Sequence, residues 1–241
     1  MTRFLMIIGI LILGTGNAGF AMPSEAATPV VAAIEDERDL SEIRPRARPD
    51  VDLPAVHFAR AMEAMRDGDF NSALAAAEKA GPVARDVIEW HRLRAGGGRF
   101  DEVVEFLDRR SDWPGLLYLR RRSEGSVPFG SRSQDVADFF AEVAPQTGLG
   151  SVAHVSALAK LNDRDGAEAA VIRAWRTQVI GPGGEKVFLQ GYGELLEDHH
   201  EARIDMLLWR GESDAAKRMY PLVDKAWQPL AKARLALHAN K

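Results

Sequence analysis

The chain has 241 residues, of which 46% are hydrophobic, so it contains enough apolar side chains to bury a substantial core. Its 31 Lys and Arg against 35 Asp and Glu give a formal net charge of -4, which does not favour a nucleic-acid-binding protein. Cysteine is absent, which excludes disulfides, thiolate metal sites, a cysteine nucleophile and a lipid-modified cysteine.

The beginning of the chain has the pattern of a signal peptide. A basic start precedes an apolar run over residues 4–13, and small residues follow as far as Ala21. A membrane-spanning helix requires about 20 apolar residues, so this run is too short to be one. We therefore predict that residues 1–21 are a signal peptide and that the mature protein is periplasmic, with no membrane contact after cleavage. Cleavage after Ala26 and an uncleaved N-terminal anchor are the alternatives.

Residues 22–53 have the composition of a linker. They are rich in Ala, Pro and charged residues, and they include the arginine and proline run of residues 44–49. Prolines remove backbone donors and bias the preceding residue toward extended structure, so we expect a flexible linker here. Its arginines are suited to anionic cell-wall groups, but a solvated basic linker is the simpler interpretation.

From Pro54 onward the sequence is typical of helices separated by short breaks at Gly, Pro, Asn and Asp. Helical spacing of apolar residues predicts buried helix faces. Three such sets are Val103, Val104, Phe106 and Leu107; Val136, Phe139, Phe140 and Val143; and Ala215, Met219, Leu222 and Val223.

Four breaks resemble the joints of helical hairpins. They lie at residues 67–70, 97–100, 163–166 and 210–212, and a small residue follows each of them. A glycine can take the left-handed conformation that ends a helix, and a small residue lets the next helix pack closely. The first two joints are 30 residues apart, near the tetratricopeptide period of about 34. We therefore predict an all-α fold over residues 54–241, an α-solenoid or superhelix of degenerate tetratricopeptide-like helix pairs.

Capping residues predict where two further helices begin. Asp112, followed by Trp113 and Pro114, fits an N-cap and a first helical turn, with the indole filling a groove between helices. After the break at Pro145, either Thr147 or Ser151 is expected to cap the next helix.

Several blocks of sequence resemble, in the same order, the superhelical region of soluble lytic murein transglycosylases. They are 86–93, 100–107 and 112–114 before Leu119-Arg120; Phe139-Phe140 with 145–148; 173–176 and 188–193; and Asp198-His199 with Arg203, Asp205 and 208–211. The resemblance implies helices that coil around peptidoglycan glycan strands. In that family a separate lysozyme-like domain cuts the glycan with a glutamate that is followed by serine, and we do not find this domain in the chain.

The resemblance therefore predicts a module that positions or binds murein glycan strands in cell-wall turnover and that is inactive alone. The alternative is a periplasmic tetratricopeptide-like scaffold that binds a protein partner.

We predict no catalytic, cofactor-binding or metal-ligating residue. The Glu-Ser pair at 212–213 lies in a turn where Ser or Asp is expected to cap a helix. Carboxylates within residues 194–198 could flank a glycosidic bond, but they also fit a solvated helix face. His199 and His200 are adjacent, so on a helix they point about 100° apart and would need metal ligands from elsewhere.

Candidate glycan contacts come from a positive run and from the tryptophans. Arginines pair with carboxylates such as those of stem peptides, and indole rings offer surfaces on which sugars stack. The candidates are Arg120, Arg121, Arg122, Trp113 and Trp175. The competing interpretation is that all five tryptophans belong to the core and that the arginines form a solvated helix face.

Overall fold

The computed structural model describes residues 53–239, and every regular element in this range is a helix. The α-helices are α1 (Pro54–Arg66), α2 (Phe70–Ala80), α3 (Pro82–Arg94), α4 (Phe100–Arg109), α5 (Leu116–Ser123), α6 (Ser133–Ala141), α7 (Gly148–Lys160), α8 (Arg164–Thr177), α9 (Pro182–Leu196), α10 (His200–Trp209), α11 (Ser213–Arg218) and α12 (Trp227–Ala239). The all-α prediction is therefore confirmed for the described residues. The predicted signal peptide and the predicted linker up to residue 52 lie outside them.

Glycine turns close two of the predicted joints. Between α1 and α2, Gly68 has a left-handed φ of 82°, and the Asp69 carboxylate accepts the Ser72 N–H as the N-cap of α2. Between α10 and α11, Gly211 has a φ of 75°. Both conformations cost a glycine nothing sterically, so these joints form as the sequence predicts.

The other two joints use different residues. Between α3 and α4 the left-handed residue is Gly96, with a φ of 85°. Between α7 and α8 it is Asn162, with a φ of 59°, a conformation that asparagine adopts more readily than most residues. Gly166 lies inside α8, where an added Cβ would come within 2.2 Å of the Asp163 carboxylate that caps the helix.

Several predicted helix boundaries are wrong by a few residues. The N-cap of α5 is Gly115 rather than the predicted Asp112, because the backbone N–H of Trp113 bonds to the Arg110 carbonyl in a turn before the helix. Helix α6, which contains Val136, Phe139 and Phe140, ends at Ala141, so the predicted fourth member of that apolar face, Val143, lies beyond it.

Helix α11 stops at Arg218, and a 3-10 turn over Tyr220–Leu222 replaces the longer helix that the Ala215 set predicts. Pro221 has no N–H to continue that helix.

Neither Glu212 nor Ser213 caps α11 with its side chain, so the predicted capping role is wrong. Thr147, by contrast, caps α7 as predicted, accepting the Gly150 N–H.

Three clusters of buried apolar residues succeed one another along the chain. The first core contains Ala61 of α1, Ala73 and Ala77 of α2, and Ile88 of α3. The second core runs from Leu93 of α3 through α4, α5 and α6 to Ala157 of α7. The third core runs from Val155 of α7 to Ala231 of α12. Helices α3 and α7 therefore each contribute to two neighbouring cores.

A buried ionic network lies beside the third core. The Glu185 carboxylate accepts hydrogen bonds from Arg203, at 2.6 Å, and from Arg218, at 2.6 and 3.1 Å. Arg203 is fully buried, and its guanidinium also stacks 4.0 Å from the Trp175 ring centroid. This network ties α8, α9, α10 and α11 together.

No helix within residues 53–239 combines the length and the apolar composition that crossing a membrane demands.

Candidate functional site

An open groove of about 630 Å³ lies between α4 and α6. Its lining residues are Asp101, Val104, Glu105, Leu107, Asp108, Arg120, Arg132, Asp135, Asp138, Phe139, Ala141 and Glu142. Apolar side chains and charged side chains both contribute to the lining, which is the mixed character of surfaces that bind partners.

Helical periodicity explains how α4 builds its side of the groove. Phe100, Val103 and Phe106 turn into the second core, because they repeat at helical spacing on one face. Asp101, Glu105 and Asp108 repeat at i, i+4 and i+7 on the next face, and all of them are exposed. The buried stripe of α4 thus orients an acidic stripe along the groove.

Helix α6 supplies a second acidic stripe on the other side. Asp135 and Asp138 of α6, and Glu142 directly after its last residue, are spaced i, i+3 and i+7, and they are exposed. Phe139, next to Asp138, is buried except for a small exposed fraction and forms part of the groove floor. Two acidic rims therefore border an apolar floor.

Arg132 closes one end of the groove. Its guanidinium bonds to Asp101 of α4 at 2.5 Å and to Asp135 of α6 at 2.7 Å, and it lies 5.2 Å from the Phe100 ring centroid. These hydrogen bonds to Asp135 and Asp101 raise the pKa of Arg132. The residue has a left-handed φ of 54°, a strained conformation for a residue with a Cβ, and the two ion pairs hold it there.

Arg120, a predicted glycan contact, lies at the opposite end. It is largely buried, donates to the Phe139 carbonyl at 2.9 Å and approaches Glu142 at 3.5 Å. A second cavity of about 420 Å³ adjoins the groove here and extends to Leu116 and Leu117 of α5. Arg120 thus connects α5 to α6, and its guanidinium already pairs with groups of the protein.

The other predicted contacts on and before α5 have different environments. Arg121 is exposed, and no partner for it is found among the described residues. Arg122 is also exposed, but it donates to the Ala95 carbonyl at 3.1 Å. Trp113 is partly buried, with its ring edge-on to Trp90 at 6.1 Å and to Phe106 at 5.7 Å. Arg121 is therefore the predicted contact on α5 that is open to a ligand.

Trp175 lies far along the chain from these residues, inside the third core. Its ring is fully buried, and its indole N–H donates to His200 Nδ1 at 3.2 Å. A sugar could reach this ring only if α8 and α10 separated. The alternative prediction that all five tryptophans are core does not hold either, because Trp209 is 80% exposed.

The acidic and histidine clusters noted in the sequence do not converge on a site. Glu194, Glu197 and Asp198 are exposed, whereas His200 is buried against Trp175. Burial lowers the pKa of His200, which favours the neutral imidazole whose Nδ1 accepts the hydrogen bond from the indole N–H. Within residues 53–239, no group of three or more His, Cys, Asp or Glu side chains is arranged to hold a metal ion.

The groove residues other than Arg120 are not among the sequence-based candidates. The available signal is the spacing of Asp101, Glu105 and Asp108 beside the buried face of α4, and the matching spacing on α6. Each stripe alone resembles an ordinary solvated helix face. Only the packing of α4 beside α6 makes the two stripes border one cavity.

No protein-family model, curated protein or solved structure matches this chain. The resemblance to lytic murein transglycosylases therefore remains a prediction from the sequence blocks.

Proposed function

We propose that the helices form a short α-solenoid that acts as a non-catalytic scaffold and binds a segment of a protein partner in the groove between α4 and α6. The succession of three cores in chain order supports the solenoid, because stacked helix pairs bury apolar surface mainly against their neighbours. Under this proposal the scaffold works in the periplasm, as the signal-peptide pattern predicts.

The observation that carries the proposal is the groove itself. Val104, Leu107 and Phe139 provide an apolar floor, and exposed side chains of two helices provide polar rims. Grooves of this kind bind peptide segments by burying a few apolar anchors and by pairing polar groups at the edge. Arg132 links α4 to α6 at one end, and Arg120 anchors α6 to α5 at the other, so the groove is formed before a partner arrives.

A photo-crosslinking experiment tests this function in cells that produce the full chain. A benzoylphenylalanine is placed at Ala141, which is exposed and lines the groove. The matched control position is Ala169, which is exposed on α8 outside the groove lining. We expect one discrete protein to be attached at position 141 and identified by mass spectrometry, and to be missing at position 169. Equal labelling at both positions, or no protein adduct at either, would contradict the proposal.

A second candidate function, binding of peptidoglycan, has support from the outer face of α5. Leu117 is 61% exposed, Tyr118 is 48% exposed, and Arg121 follows on the same side of the helix. The Arg94 guanidinium lies 5.2 Å from the Tyr118 ring centroid, so the ring is only partly open. An aromatic ring beside the exposed guanidinium of Arg121 suits a sugar that carries a carboxylate.

Co-sedimentation with purified sacculi tests the second candidate. If α5 contacts murein, Arg121→Glu should reduce the pelleted fraction several-fold through charge repulsion. Arg176→Glu, at an exposed position on α8, should leave it unchanged. Sedimentation that is insensitive to Arg121→Glu, or that does not occur with the native chain, counts against this candidate.

A further inference from the structure

The partner chemistry of the groove follows from its two acidic rims. Three carboxylates of α4 and three at α6 line the same cavity, against two guanidinium groups. A cleft lined mainly by one sign of charge focuses its field on the solvent between its walls. The groove therefore attracts cationic groups and repels anionic ones.

The two arginines do not neutralise the rims. Arg132 is shared by Asp101 and Asp135 at one end, and Arg120 is engaged by the Phe139 carbonyl and Glu142 at the other. Neither of these two arginines pairs with Glu105, Asp108 or Asp138. Among residues 53–239, the Asp138 carboxylate accepts a hydrogen bond only from the neutral side-chain amide of Gln134, at 2.9 Å.

Two carboxylates of the α4 rim are also available to a ligand. The Asp108 side chain has no hydrogen bond or ion pair to any described residue. Glu105 pairs with Arg109 of its own helix at 3.1 Å, and this pair is exposed. Exposed pairs of this kind are weak and leave the carboxylate free to exchange partners.

The apolar floor of the groove favours a ligand that has apolar groups as well as positive charge. Val104, Leu107 and Phe139 offer apolar surface between the rims, which an inorganic ion cannot cover. Each rim runs over eight residues, from i to i+7, a length of about 10 Å. A short peptide segment with basic side chains along both edges and apolar side chains between them matches the rims and the floor together.

We infer that the segment bound in the α4–α6 groove is cationic and amphipathic, with Lys or Arg side chains paired to the acidic rims and apolar side chains on the floor. This inference rests on the proposed scaffold function and specifies the chemistry of its partner. The murein stem-peptide carboxylates, by contrast, would meet like charge in this groove.

The direct test uses a fluorescein-labelled peptide with three repeats of Lys-Leu-Ala-Lys and a matched peptide with Glu in place of each Lys. Fluorescence anisotropy measures the binding of both to the full chain. We expect saturable binding of the basic peptide, at least tenfold weaker binding of the acidic one, and loss of affinity as salt increases. Equal binding of the two peptides would overturn the inference.

Charge reversal locates the binding. The double variant Asp108→Lys with Asp138→Lys changes one carboxylate of each rim that pairs with no arginine of the described residues, and it should weaken the basic peptide at least tenfold. The double variant Glu194→Lys with Glu201→Lys makes the same net change at exposed positions outside the groove lining and should have little effect. Circular dichroism checks that both variants keep their helices. Equal weakening by both would show non-specific attraction and would contradict the inference.

Metal binding is the competing outcome. If the rims serve a divalent cation instead, CaCl2 should raise the melting temperature of the chain, and peptide binding should depend on calcium and be lost with EDTA. We expect peptide binding to be the same with EDTA, and calcium-dependent binding would contradict the inference.

The cross-linked partner separates this inference from the scaffold function. If a discrete protein is attached at position 141 through a segment without Lys or Arg, the scaffold function is supported. The inference that the bound segment is cationic is then refuted. Failure of all cross-linking would refute the scaffold, on which the inference rests.

Discussion

Arg203 is a charged side chain in a fully buried position, where an unpaired charge costs several kcal/mol. Glu185 compensates this charge, and the carbonyls of Trp175 and Gln178 accept two further hydrogen bonds, at 3.0 and 3.3 Å. Burial lowers the pKa of Arg203, while the hydrogen bond to Glu185 opposes this effect. The network couples α8 to α10 through groups that lose their partners if one residue is removed.

Replacing this arginine by an uncharged side chain should therefore be costly. We expect Arg203→Met to lower the free energy of unfolding by about 3 kcal/mol, because Glu185 keeps only Arg218 and two carbonyls lose their donors. Urea denaturation followed by circular dichroism measures the change. The control Arg164→Met breaks an exposed ion pair with Glu168 and should not change the unfolding free energy measurably. Similar losses in both variants would argue against the network.

His200 should make the stability of the third core depend on pH. Burial is the main cause that lowers its pKa below the ordinary value of 6.5, while Glu197 opposes the shift. Below that pH the unfolded chain binds a proton that the folded chain does not, so stability decreases on acidification. The contribution is fully present above pH 6.5 and is lost as the pH falls further.

The test compares unfolding free energies at about pH 7.5 and about pH 5.5. The native chain should lose more stability on acidification than His200→Gln, which keeps an acceptor near Trp175 but takes up no proton. The upper limit of the difference is about 1.4 kcal/mol per pH unit. His238→Gln, at an exposed position on α12, should behave like the native chain. Burial also lowers the pKa of His154, so some acid sensitivity should remain in His200→Gln.

At the scale of elements, the start of α7 depends on a buried carboxylate from the segment after α5. Glu124 accepts the backbone N–H groups of Gln146 and Thr147, each at 2.7 Å, and the Thr147 hydroxyl at 2.5 Å. These donors precede the first turn of α7, where a negative charge is favoured by the helix dipole. Gly150 lies so close that an added Cβ would be 2.3 Å from Glu124 Oε2.

Gly150→Ala should therefore destabilise the protein, although alanine is the better helix former. We expect a loss of about 2 kcal/mol, because the new Cβ pushes Glu124 away from its donors. Gly183→Ala, in the first turn of α9, is the matched control, since no atom lies within 4 Å of an added Cβ there. That variant should be neutral or slightly stabilised. Thermal melting of both variants measures the difference, and a neutral Gly150→Ala would show that the carboxylate adapts freely.

At the scale of the whole molecule, the described residues contain three cores in chain order. The first core is small and built largely from alanine, whereas the third contains Trp175, Phe188 and several leucines and isoleucines. If the helices form a stack in which each core depends mainly on its neighbours, a defect in one core should stay local.

Hydrogen exchange measured by mass spectrometry tests this locality. Leu207→Ala creates a cavity in the third core and should reduce the protection of α8 to α12 by about 2–5 kcal/mol in opening free energy. The amides of α1 to α3 should keep their protection. Ile88→Ala in the first core should give the reverse pattern. A uniform loss of protection in either variant would mean that the described helices unfold as one unit.

Much of the helical framework could be predicted because its signals are local. The glycine turns at Gly68 and Gly211, the cap at Thr147 and the buried face of α4 each depend on a few neighbouring residues. The failed boundary before α5 also involves a distant contact. Trp113 lies in a turn closed by the Arg110 carbonyl, and its ring packs against Trp90, more than 20 positions earlier. The candidate site was largely missed for the same reason.

The sequence by itself determined that the described residues from Pro54 onward are helical, because periodicity, caps and breaks act within a few residues. Only the tertiary structure decided which side chains meet. In the folded structure Trp175 is buried and Trp209 is exposed, and Arg120 bonds to the Phe139 carbonyl of α6. The acidic stripes at α4 and α6 lie along one groove. The physical reason is that burial and charge pairing between helices depend on how the helices pack, which spacing within a single helix does not specify.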